Sequence, residues 1–345
     1  MRRPQNQCSS SASATPPRSR LQPFRIAAVR LLAVSAALLV CFTPARSAFA
    51  QSAAPRVIAL FPEKDLYRQA ADALAEAQRK RGVSFELIAL PEGDADAQSR
   101  AIAALREKKP TLIVTGGSTL TADVLREVPG VPVVFFMVPN AADAPFLQDA
   151  SPDRQRVAGV SCDVAPALQI DWALRVNGKT KRLAVFCSPR TARTVAALVT
   201  AGQARGISIE PIEARADNIA DATDTASKHA DDGVLMIPDA QVYNNASIQH
   251  LLVWGIREKR AVFAFSEKIV KAGALAGILT NPADVGRRTA ELVNQISAGK
   301  SPAEIGVVYC DQSRRALNTH TASFISAPLD EAQRDKDVVV FGDAP

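Results

Sequence analysis

The chain has 345 residues, enough for two domains of ordinary size. It carries 41 basic and 35 acidic residues, but seven of the arginines lie in the first fifty residues, which contain no Asp or Glu. The remainder is close to neutral, with 34 basic against 35 acidic residues. Its charge therefore gives no reason to expect a nucleic-acid partner.

The first fifty residues have the pattern of a cleavable secretory signal peptide. The apolar run at 31–42 is too short to span a bilayer comfortably. It leads to Ala48-Phe49-Ala50, the small-x-small pattern that signal peptidases cut. Lipid attachment at Cys41 and a membrane anchor are alternatives, but a bulky valine precedes Cys41 and an anchor needs a longer apolar run. We predict that residues 1–50 are a signal peptide and that the mature chain is a soluble periplasmic protein.

Apolar runs alternate with helical periodicity in the remainder of the chain. The pattern predicts strands at 56–61, 85–90, 111–115, 131–137, 182–187, 208–213, 234–237, 261–265, 274–279 and 338–341. It predicts helices at 66–81, from Asp94 to about 108, from about Ser118, and at 166–176, 192–205, 219–229, 246–259 and 284–298. Continuous apolar strands are typical of parallel sheets that helices cover on both faces. The order predicts an α/β fold with two doubly wound, Rossmann-like domains.

Residues 81–86 resemble residues 205–210, each at a junction between a helix and a strand. The similarity favours two related domains. The alternative is that such helix–glycine–strand junctions look alike in all α/β folds.

The sequence lacks the common catalytic and metal-binding patterns. Its three histidines, His229, His250 and His320, have no zinc-site spacing. The segment 159–163 begins like a nucleophile elbow but lacks the second glycine, and the loop 115–119 is not a dinucleotide-binding motif. We therefore expect a protein that is not an enzyme and that has no cofactor and no metal site.

Three cysteines follow the predicted signal peptide: Cys162, Cys187 and Cys310. In an oxidising compartment, an odd number allows one disulfide with one free thiol, or none. Their spacing matches no metal site.

Polar residues follow most of the predicted strands, where ligands bind in open parallel sheets. The candidate ligand-binding residues are Glu63, Tyr67, Gly117, Ser118, Thr119, Asn140, Asp163, Ser188, Arg190, Thr191, Asp239, Gln241, Glu267 and Asn281. Ser118 and Thr119 begin a helix, whose N-terminus suits an anionic or carbonyl group, although a plain helix cap is the alternative.

The order of the motifs resembles the ABC-transporter substrate-binding family that includes the tryptophan-binding proteins, within the type 1 periplasmic binding proteins. The resemblance covers roughly residues 56–308. It rests on 112–119, on 131–140, and on the stretches Val157-Ala158-Gly159-Val160-Ser161 and Lys181-Arg182-Leu183-Ala184-Val185-Phe186. Ser188 stands where the family usually has Asn. Both tryptophans, Trp172 and Trp254, lie in predicted helices, and we expect them to be away from the cleft.

The resemblance implies an N-terminal lobe of residues 56–160 plus 282–305 and a C-terminal lobe of 161–281 plus 306–345. It also implies three chain crossings, near 159–163, 279–281 and 306–309, and hinge closure around a ligand. The partners it implies are a small polar ligand, such as an amino acid or a related molecule, and an ABC permease in the inner membrane. We expect a monomer.

In such a site, Glu63, Asp163, Asp239 or Glu267 would neutralise an ammonium group, and Arg190 would pair with a second acidic group. A periplasmic sensor of the same fold is the main alternative function. A secreted enzyme is a third, weakened by the missing catalytic constellation. The signal peptide and the missing DNA-binding helices argue against a transcription regulator.

Overall fold

The computed structural model describes residues 56–83, 85–229, 231–329, 332 and 337–342. The predicted signal peptide lies outside the described residues. Within these ranges, no helix combines the length and the apolar character needed to cross a membrane.

The strands and helices alternate along most of the chain. In chain order, the strands are β1 (Val57–Pro62), β2 (Phe85–Leu90), β3 (Leu112–Gly116), β4 (Val133–Val138), β5 (Val157–Val164), β6 (Arg182–Cys187), β7 (Ser208–Glu213), β8 (Gly233–Leu235), β9 (Ala261–Ala264), β10 (Ala276–Thr280), β11 (Val307–Cys310), β12 (Ser313–Asn318) and β13 (Val338–Phe341). The helices are α1 (Asp65–Arg79), α2 (Ala95–Lys108), α3 (Ser118–Glu127), α4 (Pro166–Val176), α5 (Ala192–Gln203), α6 (Ile219–Lys228), α7 (Asn245–Arg257), α8 (Glu267–Ala272), α9 (Pro282–Ser297), α10 (Pro302–Ile305) and α11 (Thr319–Ile325).

The first sheet has the strand order β11-β5-β4-β3-β1-β2, and its paired strands are parallel. Every residue of β3 and β4 is buried, as expected for strands that helices cover on both faces. Helices α1 and α9 pack closely on one face. A Cβ at Gly286 of α9 would lie 2.0 Å from the carbonyl oxygen of Ala70 in α1, so this approach requires glycine.

The second sheet has the order β13-β12-β10-β9-β8-β6-β7. Its pairs are parallel except β10 with β12, which is antiparallel. The predicted parallel sheets are therefore confirmed except at this edge. Strand β11 belongs to the first sheet, so the chain enters the second sheet at the carboxyl end of β10, where Ser313 lies opposite Thr280, and β12 runs back antiparallel to β10.

Three segments connect the two lobes: β5 to α4, β10 to α9, and β11 to β12. The hydroxyl of Thr280, at the end of β10, donates to the carbonyl of Cys162 in β5 at 2.7 Å and ties two of these segments together. The predicted lobe boundary at 306 assigned residues 307–310 to the C-terminal lobe. Strand β11 instead pairs with β5, so these residues belong to the first sheet.

Hydrophobic clusters fill both faces of both sheets. At the two similar junctions, Gly82 and Gly206 both have φ +69°, a left-handed conformation that glycine adopts at little cost where a helix ends. The same local geometry therefore underlies the similarity of residues 81–86 and 205–210.

Candidate functional site

Loops at the carboxyl ends of the two sheets contact each other directly. Asn140 follows β4, and its side-chain amide donates to the carbonyl of Pro238, beyond β8. Asp143 accepts hydrogen bonds from the backbone N–H groups of Arg193 (2.7 Å) and Thr194 (2.9 Å) in the first turn of α5. Carboxyl-end loops are the usual ligand-binding region of open α/β sheets, so the boundary at which these loops meet is the candidate site.

Asp163 lies at the end of β5, where the chain passes between the lobes, and is 8% exposed. The hydroxyl of Ser161 donates to its Oδ2 at 2.6 Å. In the part of the chain that the structure describes, its Oδ1 has no hydrogen-bond partner. Burial raises the pKa of Asp163 to about 6, against the opposing effects of Ser161 and the backbone of Asn140 and Ala141.

A small cavity of about 50 Å³ lies beside Asp163. It is enclosed by the carboxyl ends of β5, β8, β9 and β10 and by α4, which contributes Gln169 and Trp172. Trp172, which we expected to lie away from the cleft, is buried and lines this cavity. Its position was hard to foresee because a helical pattern does not tell which strand ends the buried face will meet. Trp254 packs in a different cluster and donates its indole N–H to Ser227 at 3.1 Å.

Asp239 lies 7% exposed in the second lobe and is surrounded by hydrogen-bond donors. Its Oδ2 accepts from the backbone N–H (3.0 Å) and the hydroxyl (2.8 Å) of Ser188 and from the hydroxyl of Thr191 (3.1 Å). Its Oδ1 accepts from the backbone N–H of Gln241 at 2.9 Å. The structure thus brings together four predicted site residues: Ser188, Thr191, Asp239 and Gln241. The carboxylate of Asp239 connects the loop after β6 with the loop after β8.

Two other predicted carboxylates form ion pairs within their own lobes. Glu63 pairs with Arg68 at 2.9 Å and is exposed. Glu267, the first residue of α8, pairs with Arg314 at 2.6 Å. Asp163 and Glu267 each have an oxygen that lacks a hydrogen-bond partner among the described residues. Glu267 is half-buried and ion-paired, so of the four carboxylates that could neutralise an ammonium group, Asp163 is the buried one with an oxygen left over.

Comparison with known proteins identifies the family. The model for ABC transporter substrate binding proteins matches residues 64–332. The chain belongs to this family. No curated protein matches the chain in sequence.

Solved structures of several bacterial proteins share the fold of this substrate-binding protein. A substrate-binding protein with adhesive properties from Clostridium difficile, in a ligand-free open form, is 15% identical with a TM-score of 0.62, over 84% of this chain and 100% of that one. A conserved domain protein from Vibrio cholerae is 18% identical (TM-score 0.57), over 82% of this chain and 99% of that one. An ABC domain from Streptococcus pneumoniae in complex with L-Trp is 15% identical (TM-score 0.56), over the same shares of the two chains. At these identities the likeness shows the fold, which is that of the type 1 periplasmic binding proteins.

Tyr67 lies on the first-lobe side of the cleft in this substrate-binding protein. Its ring packs edge-on against Phe136, with centroids 6.2 Å apart. Gly117 begins α3 with φ +84°, and a Cβ there would lie 2.9 Å from the Tyr67 hydroxyl. Burial raises the pKa of Tyr67, with a smaller contribution from Cys162.

Ser118 and Thr119, the other predicted residues of this loop, are exposed and line a separate groove. The groove measures about 1060 Å³ and lies between α3 and the loop that contains Phe146 and Arg156. All of its lining residues belong to the first lobe. The structure therefore does not bring Ser118 and Thr119 together with Asp163.

The two remaining predicted residues lie at helix starts of the second half. Arg190 is exposed in the short turn before α5, and its backbone N–H donates to the Ser188 hydroxyl at 3.3 Å. Asn281 caps α9, since its side-chain oxygen accepts from the N–H of Ala283 at 3.1 Å. Asn281 therefore acts as a helix cap at the β10 crossing.

The sequence left the disulfide state of three cysteines open. In the structure Cys162, Cys187 and Cys310 are free thiols. Burial raises the pKa of each thiol, with nearby carboxylates adding to the effect. Raised thiol pKa values disfavour the reactive thiolate, so these residues have the character of packing groups.

Proposed function

We propose that this protein captures a small polar solute between its lobes in the periplasm and delivers it to the permease of an ABC importer. The family supports a small-molecule ligand and a transporter partner. The observation that carries the site assignment is Asp163 Oδ1, a buried carboxylate oxygen without a hydrogen-bond partner among the described residues. Burying such an atom without a partner costs roughly 1–3 kcal/mol or more, and a ligand group in the cleft removes that cost.

The contacts between the lobes support capture by closure. Asn140 and Asp143 of the first lobe bind backbone groups of the second, so these interactions exist only when the lobes are together. A solute that contacts both lobes binds this arrangement more tightly than an open one and shifts the population toward it. The three connecting segments would act as the hinge.

The first test uses the protein purified from the periplasmic fraction of cells that express the full chain. We expect its N-terminus to begin at residue 51. Thermal unfolding is then followed with amino acids, small peptides, nucleosides, sugars and organic anions. A solute at about 100 times its Kd adds about 2.7 kcal/mol of stability, which raises the Tm by several degrees. A folded sample that no solute stabilises, and that carries no solute through purification, contradicts the proposal.

Transport is distinguished from sensing by uptake. We expect cells that lack this chain to lose uptake of the identified solute from dilute medium, and the full chain supplied in trans to restore it. Uptake that stays normal while solute-induced gene expression disappears would favour the sensor.

A further inference from the structure

The cavity beside Asp163 has two polar atoms on its lining residues that lack a partner in the structure as described. One is Oδ1 of Asp163, and the other is Nε1 of Trp172, whose side chain is 2% exposed. An ionised carboxylate only accepts hydrogen bonds, and an indole N–H only donates one. The residues that line the cavity therefore include one acceptor and one donor that are not used within the described part of the chain.

The other polar groups of the lining are already engaged. The Gln169 side-chain amide donates to the carbonyl of Val164 at 2.7 Å, and the Thr280 hydroxyl donates to the carbonyl of Cys162 at 2.7 Å. Most of the remaining lining consists of apolar side chains from the ends of β8, β9 and β10. Recognition in this cavity therefore depends chiefly on Asp163 and Trp172.

A charged occupant satisfies at most one of these two atoms. The carboxylate of Asp163 repels an anion. An ammonium group pairs with the carboxylate but cannot accept the indole N–H. A neutral group that both donates and accepts a hydrogen bond fits the two unpartnered atoms. Hydroxyl groups and primary carboxamides have this property.

We propose that the cavity receives a neutral hydroxyl or primary carboxamide of the solute, which donates to Asp163 and accepts from the indole N–H of Trp172. This inference rests on the proposed capture of a solute in the cleft. The volume of about 50 Å³ is far below the roughly 300–1,000 Å³ of pockets that enclose a whole ligand, so only a terminal group of the solute enters. The rest of the solute lies outside the cavity, toward the interlobe cleft.

The test uses the full chain, processed by the host and labelled with ¹⁵N-tryptophan. The sequence contains only two tryptophans, so the spectrum has two indole N–H signals, and Trp172→Phe assigns them. Four probes of similar size are titrated at pH 7.5: ethylene glycol, acetamide, methylammonium and acetate. We expect ethylene glycol or acetamide to shift the Trp172 signal saturably, and the two charged probes to leave it in place. The Trp254 signal is the internal control, because Ser227 already accepts its N–H.

Two variants extend the test to whole solutes. For a solute found by thermal unfolding, Trp172→Phe should raise the Kd at least tenfold, whereas the matched Trp254→Phe should leave it within twofold. Asp163→Ala should abolish the shift that the neutral probes produce in the Trp172 signal. Because the probe titration uses the unaltered protein, a variant that fails to fold does not affect it.

Three results would overturn the inference: a larger response to methylammonium or acetate, no response of the Trp172 signal to any probe, or equal solute affinity in Trp172→Phe and the unaltered protein. The second means that the cavity holds water alone. Equal affinity leaves the proposed function intact, because a solute still binds. Failure of every solute to bind removes the proposed function, whatever the small probes do.

Discussion

The carboxylate of Asp143 accepts both the backbone N–H (2.9 Å) and the hydroxyl (2.7 Å) of Thr194, across the boundary between the two lobes. Helix α5 lacks a side-chain cap of its own, because the hydroxyl of Thr191 is directed to Asp239 and to the carbonyl of Ser188. A residue of one lobe therefore caps a helix of the other, and the cap exists only while the lobes are in contact.

Replacing Asp143 by Ala should weaken solute binding more than it weakens folding. Loss of a helix cap costs about 0.5–2 kcal/mol, and here that energy favours the contact of the lobes over the open form. We expect the Kd of the identified solute to rise roughly 2- to 30-fold. Titration calorimetry measures the Kd, and small-angle scattering measures the accompanying increase in radius.

Asp94→Ala is the matched control. Asp94 caps α2 within the first lobe by accepting the N–H of Ala97 at 2.8 Å. Its loss should lower the free energy of unfolding by a similar amount and leave the Kd unchanged. Equal affinities in Asp143→Ala and the unaltered protein would show that this cap does not hold the lobes together.

Asp239→Ala should reduce stability strongly, because it removes the acceptor of four hydrogen bonds. Buried donors left without partners cost roughly 1–3 kcal/mol each, although loop relaxation recovers part of this. We expect the free energy of unfolding, measured in urea, to fall by about 2–4 kcal/mol. Asp239→Asn keeps one carbonyl oxygen and should have an intermediate effect. A variant of normal stability that no longer binds solute would instead make Asp239 a ligand contact.

Asp163 should make the stability depend on pH. Burial raises its pKa to about 6 in the folded protein, against about 3.9 in an unfolded chain, and Asp143 adds a smaller repulsion. Between these values the folded state binds more protons, so stability rises as the pH falls from about 6 to about 4.

Asp163→Asn isolates this effect. The free energy of unfolding of the unaltered protein, relative to the variant, should increase by roughly 2 kcal/mol between pH 7 and pH 4.5. Urea unfolding at both pH values measures it. Parallel pH dependences in the two proteins would show that Asp163 is not the titrating group.

Local signals in the sequence are sufficient to place many elements. Short apolar patterns between helices predict β2, β6 and β7 with the ends that the structure confirms, and a proline in the first turn predicts the start of α4. Long-range pairing is not encoded in this way. The antiparallel β12 and the membership of β11 in the first sheet depend on contacts between residues far apart in sequence.

The same distinction applies to the candidate site. Asp163 could be predicted as a site residue because it lies at a predicted crossing between the lobes. The residues around Asp239 were predicted from their places after strands, but the hydrogen bonds that Ser188 and Thr191 donate to its carboxylate could not be foreseen, because they join loops about fifty residues apart. Trp172 was missed because its spacing in α4 is that of any buried helix face. Which residues remain unpartnered depends on the packed structure and not on spacing.

Gly117→Ala tests the close approach of α3 to Tyr67. Gly117 has φ +84°, and a Cβ there would lie 2.9 Å from the Tyr67 hydroxyl, so the substitution adds both backbone strain and a steric clash. Gly82→Ala is the matched control, since Gly82 has φ +69° and nothing within 4 Å of an added Cβ. We expect Gly82→Ala to cost about 1 kcal/mol and Gly117→Ala to cost 1–3 kcal/mol more, as measured in urea.

The additional cost should depend on Tyr67. In a Tyr67→Ala background the clash disappears, so Gly117→Ala should then cost about as much as Gly82→Ala. Residues in direct contact show such non-additivity in double-mutant cycles. Because Tyr67 is one of the predicted ligand-binding residues, the clash should also weaken solute binding in the single variant and not in Gly82→Ala. Equal costs for the two glycine substitutions in the natural background would mean that α3 can move away from Tyr67 freely, and that Tyr67 is not held in a fixed position beside the cleft.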